Sequence, residues 1–127
     1  MPLVRISVRK GRTQAERLAI GDAVHRALVE ACKVPADDKF QVITEHDAEL
    51  VYDPKYLGIE RSEGVVFVQI FLRKGRTNDQ KRALYKRIAE LAAEGGVRPQ
   101  DVLVTLVEND APDWSFGDGV AQYAKEG

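Results

Sequence analysis

The chain has 127 residues, with 19 lysines and arginines against 20 aspartates and glutamates and a formal net charge of −1. That length suits one domain, and the balanced charge excludes a general electrostatic grip on nucleic acid or an anionic membrane surface. No apolar run approaches the roughly 18 residues needed to cross a bilayer; Arg5, Arg9 and Lys10 interrupt the first apolar stretch, so no leader pattern is readable; and the single Cys32 excludes an internal disulfide and a cysteine-based metal cluster, which together give a cytoplasmic expectation.

In chain order, Leu3, Val4, Ile6 and Val8 predict a strand that ends in a Lys10-Gly11 turn. Thr13 followed by Glu16 is a capping box, and a helix follows on Leu18, Ala23, Ala27, Leu28, Ala31 and Cys32. After a Val34-Pro35 turn, Phe40 to Thr44 predict a second strand. Residues 46–63 form a polar link with Pro54 and Gly58, holding a turn or a short hairpin. The pattern then recurs. Val65 to Leu72 predict a strand, Thr77 and Gln80 a second capping box, Leu84, Ile88, Leu91 and Ala92 a helix, and Val102 to Val107 a fourth strand after Gly95-Gly96. A tail over 109–127 carries Trp114, Phe116 and Tyr123 among glycines.

The recurrence is literal at one point. Arg-Lys-Gly-Arg-Thr occupies both 9–13 and 73–77, and Val34 and Asp38 are echoed by Val97 and Asp101. The chain therefore reads as a single α/β domain made of two repeats, 1–63 and 64–127, each a β-α-β unit with parallel strands. The expected product is a four-stranded mixed sheet with two helices on one face. The unbroken apolar run Val65 to Val68 and its counterpart Val102 to Val104 are typical of strands covered on both faces. Two helices cover one face only, so copies of the chain are expected to cover the other.

Pro2 is the first candidate for chemistry. A proline after the initiator methionine is often incidental. If Met1 is removed, however, Pro2 presents a rigid secondary amine that can act as general acid or base near neutral pH. The repeated Arg-Lys-Gly-Arg is the second. Its arginines can bind one carboxylate through bidentate hydrogen bonds beside a helix N-terminus, or the segment can be a solvated turn. It lacks the P-loop frame. If the first strands of the two units are antiparallel neighbours, Pro2 lies near Arg73 and Arg76. Arg9 and Arg12 then face Gly64-Val65, which offers no amine, so one site per chain is expected. Asp38 could tune the amine or hold a water, or simply close a turn. Trp114 and Phe116 could wall a pocket or anchor the tail. His25 and His46 share no metal-ligand spacing, and no metal site is expected.

An amino-terminal Pro2, the Lys-Gly-Arg-Thr turn, the two β-α-β units and the tail resemble the tautomerase superfamily in its fused, double-length form. Val34-Pro35-Ala36-Asp37-Asp38-Lys39-Phe40-Gln41, Leu106-Val107-Glu108-Asn109 and Asp113-Trp114-Ser115-Phe116-Gly117 most resemble its malonate semialdehyde decarboxylase branch. The resemblance implies a homotrimer acting without cofactor on a small carboxylate, a 3-oxo acid. Arg73 would bind the carboxylate, protonated Pro2 would polarise the carbonyl or form an iminium with it, and Asp38 would support the charge on Pro2. Trp114, Phe116 and Tyr123 would form the apolar wall. Arg73-Lys74-Gly75-Arg76 departs from the Arg-x-Arg order of that branch. Its spacing is similar to that of the superfamily's haloacrylate dehalogenases, but their water-activating glutamate has no counterpart beside Trp114. Keto–enol tautomerisation of phenylpyruvate-like acids, hydratase-type activity on unsaturated acids, and a trimeric interaction protein without this chemistry remain the alternatives.

Overall fold

The structure, a computed structural model, describes residues 1–124. Strand β1 (Pro2–Arg9) leads to helix α1 (Gln14–Cys32) and strand β2 (Gln41–His46); strand β3 (Val66–Arg73) leads to helix α2 (Asn78–Glu94) and strand β4 (Val102–Asn109). The sheet order is β2-β1-β3-β4, parallel within each unit and antiparallel between the central β1 and β3. This is the four-stranded mixed sheet with two helices that the sequence pattern predicts.

Both helices begin where their capping boxes sit. Thr13 Oγ1 accepts from the Glu16 amide while Glu16 accepts from the Thr13 amide at 2.9 Å, and the Thr13 amide holds the Glu16 carboxyl below its usual range. Thr77 and Gln80 repeat the arrangement. Each box satisfies amides that the first helical turn leaves without a partner.

Strand alternation divides the sheet into two unlike faces. Val4, Ile6, Val8, Val66, Val68, Ile70 and Leu72 point at the helices and are buried against Val24, Leu28, Leu84 and Ile88. Each such side chain contributes about 1.5–3 kcal/mol on leaving water. The opposite face has no cover in one chain. Leu3, Phe67 and Phe71 are half-buried at its centre, and Val42, Leu103 and Val107 are exposed toward its edges.

Two expectations need correction. Leu18 is 55% exposed beside the edge strand, near Gln41 and Ile43, while Ile20 and Val24 of α1 take the buried positions. Strand β2 begins at Gln41, not Phe40, although the Phe40 carbonyl still accepts from Val4 N at 3.0 Å. The link after β2 holds a short 3-10 turn at Tyr56–Gly58, the turn alternative of the sequence reading.

Candidate active site

Three register pairs assemble one end of the sheet. Pro2 is opposite Leu72, so the start of β1 lies one residue from Arg73. Arg73 is opposite Asn109, which brings the tail to the same place. Val4 is opposite Gln41, which brings Asp38 and Phe40 there from the other side. No two of these segments are neighbours in sequence. They meet because the first strands of the two units are antiparallel at the sheet's centre.

The chain's own amino group is held here. Met1 N donates to Asp38 Oδ2 at 2.5 Å, with the Met1 and Asp38 side chains only 7% and 16% exposed. The Asp38 amide donates to the Pro35 carbonyl at 3.0 Å, so the turn after α1 fixes the carboxylate's position. Pro2 itself is buried.

A cleft of about 240 Å³ opens beside this pair, lined by Pro35, Asp37, Asp38, Phe40, Phe116 and Tyr123. Its apolar side is a chain of rings. Trp114 stacks on Phe116 with centroids 5.3 Å apart, Phe116 meets Phe40 at 5.8 Å, and Tyr123 stands edge-on to Phe116 at 5.7 Å. These separations are those of favourable aromatic pairs. The tail is folded back by Gln122, whose side chain accepts from Phe116 N and donates to the Gly117 carbonyl. The sequence marks Phe40 as the start of a strand and Asn109 as the start of the tail; their place beside the rings comes from the tertiary arrangement.

The two arginines leave the end of β3 in different directions. Arg73 continues the alternation of the uncovered face and is exposed. Gly75, at φ +124°, then turns the backbone through a region that favours glycine. Arg76 is thereby carried to the helix side, where its Nη1 donates to the Arg73 carbonyl at 2.7 Å. Burial pushes the Cys32 thiol up, and the positive charge of Arg76 opposes that rise without overcoming it.

The equivalent end of the repeat is filled. Arg9 donates through Nε and Nη2 to the Leu50 carbonyl at 3.2 and 2.9 Å and lies 5.3 Å over the Tyr52 ring. Arg12 Nη2 donates to the Gly64 carbonyl at 2.7 Å. Asp101, the counterpart of Asp38, is 3% exposed and accepts from Ser62 N and Ser62 Oγ at 2.8 and 2.6 Å. Continuous chain occupies the place that the free N-terminus holds at the other end. His25 pairs with the Ala36 carbonyl and His46 with Thr44, and no cluster suited to a metal ion occurs among the described residues.

Residues 38–117 and residues 2–53 each match a family described as "Tautomerase enzyme". Two Bacillus subtilis proteins are similar over nearly their full length. "Probable tautomerase YusQ" is 41% identical over 96% of this chain and 98% of its own, and "Probable tautomerase YrdN" is 36% identical over 97% and 96%. Among solved structures, FG41 malonate semialdehyde decarboxylase inhibited by 3-bromopropiolate superposes with a TM-score of 0.91 at 43% identity, covering 95% of this chain and 93% of that one. A second malonate semialdehyde decarboxylase, described as having decarboxylase and hydratase activities, superposes at 0.90 with 38% identity and 95% coverage of both.

Proposed function

The chain belongs to the tautomerase family, and from that premise we propose that it is a decarboxylase of malonate semialdehyde or a similar 3-oxo acid. The observation that carries this reading is the chain's amino group held against Asp38 at the mouth of a ring-walled cleft. Likeness to two malonate semialdehyde decarboxylases at 43% and 38% identity supports it.

The proposed mechanism needs Met1 removed. One residue of chain spans at most about 3.6 Å, so the Pro2 nitrogen stays near the Asp38 carboxylate. That anion favours the cationic form of the amine. Arg73 binds the substrate carboxylate and turns it out of the plane of the carbonyl, and Arg76, bonded to the Arg73 carbonyl, braces the turn that presents it. The bond between the carboxylate and the α-carbon breaks, and its electron pair moves into the enolate formed with the carbonyl that Pro2 polarises. Carbon dioxide leaves, and a proton returns to the α-carbon to give the aldehyde. Trp114, Phe116, Phe40 and Tyr123 offer the substrate an apolar wall, and water displaced from it on binding strengthens the charge interactions there.

The names of the two Bacillus relatives favour a second reading, keto–enol tautomerisation with neutral Pro2 as the base. One pair of assays separates the two. Carbon dioxide and aldehyde release from malonate semialdehyde supports decarboxylation, whereas loss of phenylpyruvate enol without carbon loss supports the tautomerase. Hydration of acetylenic acids is read in the same set. If Pro2→Ala changes none of these rates, the rigid secondary amine of Pro2 is not needed for the reaction.

The uncovered sheet face calls for a partner, and a homotrimer packed around it satisfies that need. Sedimentation at micromolar concentration should give three times the chain mass; a stable monomer would remove this part of the proposal.

A further inference from the structure

Asn109 uses both of its carbonyl groups in ways that the proposed mechanism leaves unexplained. Its side-chain Oδ1 accepts from Trp114 Nε1 at 2.6 Å. Its main-chain oxygen accepts from Lys74 N at 2.7 Å, inside the Arg73–Arg76 turn. It is also opposite Arg73 in the β3–β4 register. One half-buried residue at the end of β4 therefore ties the ring wall to the arginine turn.

The consequences follow from what each bond fixes. An indole N–H among apolar rings is costly to leave without an acceptor. With Asn109 as partner, the Trp114 ring has one favoured orientation, and it stacks on Phe116 with 6° between the planes. Phe116 in turn contacts Phe40 and Tyr123. A single hydrogen bond thus sets the plane of the ring from which the other contacts of the wall follow. Nothing in the residue order announces this: Asn109 reads as the first residue of the tail, and Trp114 is five residues further on.

We propose that Asn109 is a positioning residue, which orients the Trp114 wall relative to the arginine turn without touching substrate. The inference rests on the decarboxylase reading for its kinetic consequence but not for its structural one. Because Lys74 is held by the main-chain carbonyl, replacing the side chain isolates the indole contact.

Trp114 is the only tryptophan of the chain, so its fluorescence reports the wall directly. In Asn109→Ala, the emission should shift to longer wavelength and acrylamide quenching should rise, while kcat/KM on malonate semialdehyde falls by about three- to tenfold, the range of one net hydrogen bond. Asn109→Asp keeps an acceptor for the indole and should restore both readouts. In a Trp114→Phe background the Asn109→Ala substitution should cost nothing further in kcat/KM, and this cycle tests the idea even if the alanine variant is poorly stable. Unchanged Trp114 emission and quenching in Asn109→Ala would overturn the proposal, as would an aspartate variant indistinguishable from alanine. If the wild-type chain releases no carbon dioxide but the fluorescence responds as stated, the decarboxylase reading fails and the positioning role stands.

Discussion

Replacing Asp38 by asparagine keeps the side chain's shape and removes its charge. The Met1 nitrogen lies 2.5 Å from Asp38 Oδ2. Adding the reach of one residue puts the Pro2 nitrogen within about 6 Å of that oxygen. Two unit charges at about 6 Å attract by about 0.7 kcal/mol in bulk water and about 2.8 kcal/mol at an effective dielectric constant of about 20. The Asp38 side chain is 16% exposed, so the true value falls between these limits. If Pro2 acts as a cation, Asp38→Asn should lower kcat/KM on a 3-oxo acid by about three- to a hundredfold. The assay is carbon dioxide release, with Met1 removal checked by mass. A rate within twofold of wild type would refute the reasoning.

Other outcomes follow from the same geometry. Protein that retains Met1 should lose at least about a hundredfold in activity, the lower range for an acid–base group, because the buried Met1 side chain and its amide take the place of the free amine; comparing processed and unprocessed fractions by mass and rate checks this. Arg76→Ala should lose activity, whereas Arg12→Ala, which frees the Gly64 carbonyl, should keep kcat/KM while losing about 1–3 kcal/mol of stability in urea unfolding. Burial raises the Cys32 thiol, so the folded state favours its protonated form. That preference is fully present below the thiol's ordinary range and is lost as pH rises through the raised folded value; alkylation at pH 7 should be slow in folded protein and fast in urea. Arg76 opposes the burial effect, so in Arg76→Ala the thiol should react more slowly still if its exposure is unchanged.

The local structure was written in short-range chemistry. Capping boxes at Thr13 and Thr77 start the helices, and alternation in Leu3 to Val8 and periodicity in Leu84 to Leu91 select the buried faces. Those signals act over a few residues, so one sequence carries them. The errors also have local causes. Leu18 fits the apolar pattern, but Ile20 and Val24 took the inward positions, and Phe40 is strand-like but ends up facing Phe116 across the cleft rather than extending β2.

The duplicated Arg-Lys-Gly-Arg-Thr, the leading proline and the two β-α-β patterns by themselves determined the fold and the candidates, because each depends on neighbours in the chain. Pro2 already set one copy apart; the tertiary structure decided what fills the end of the other. At one end the chain's own N-terminus meets Asp38, and the space beside it stays open. At the other, Ser62 to Gly64 run straight through, Asp101 is closed over, and Arg12 becomes a brace. The physical reason is that an identical pentapeptide takes its role from what lies across the sheet, and that is set by strand register between segments more than 60 residues apart.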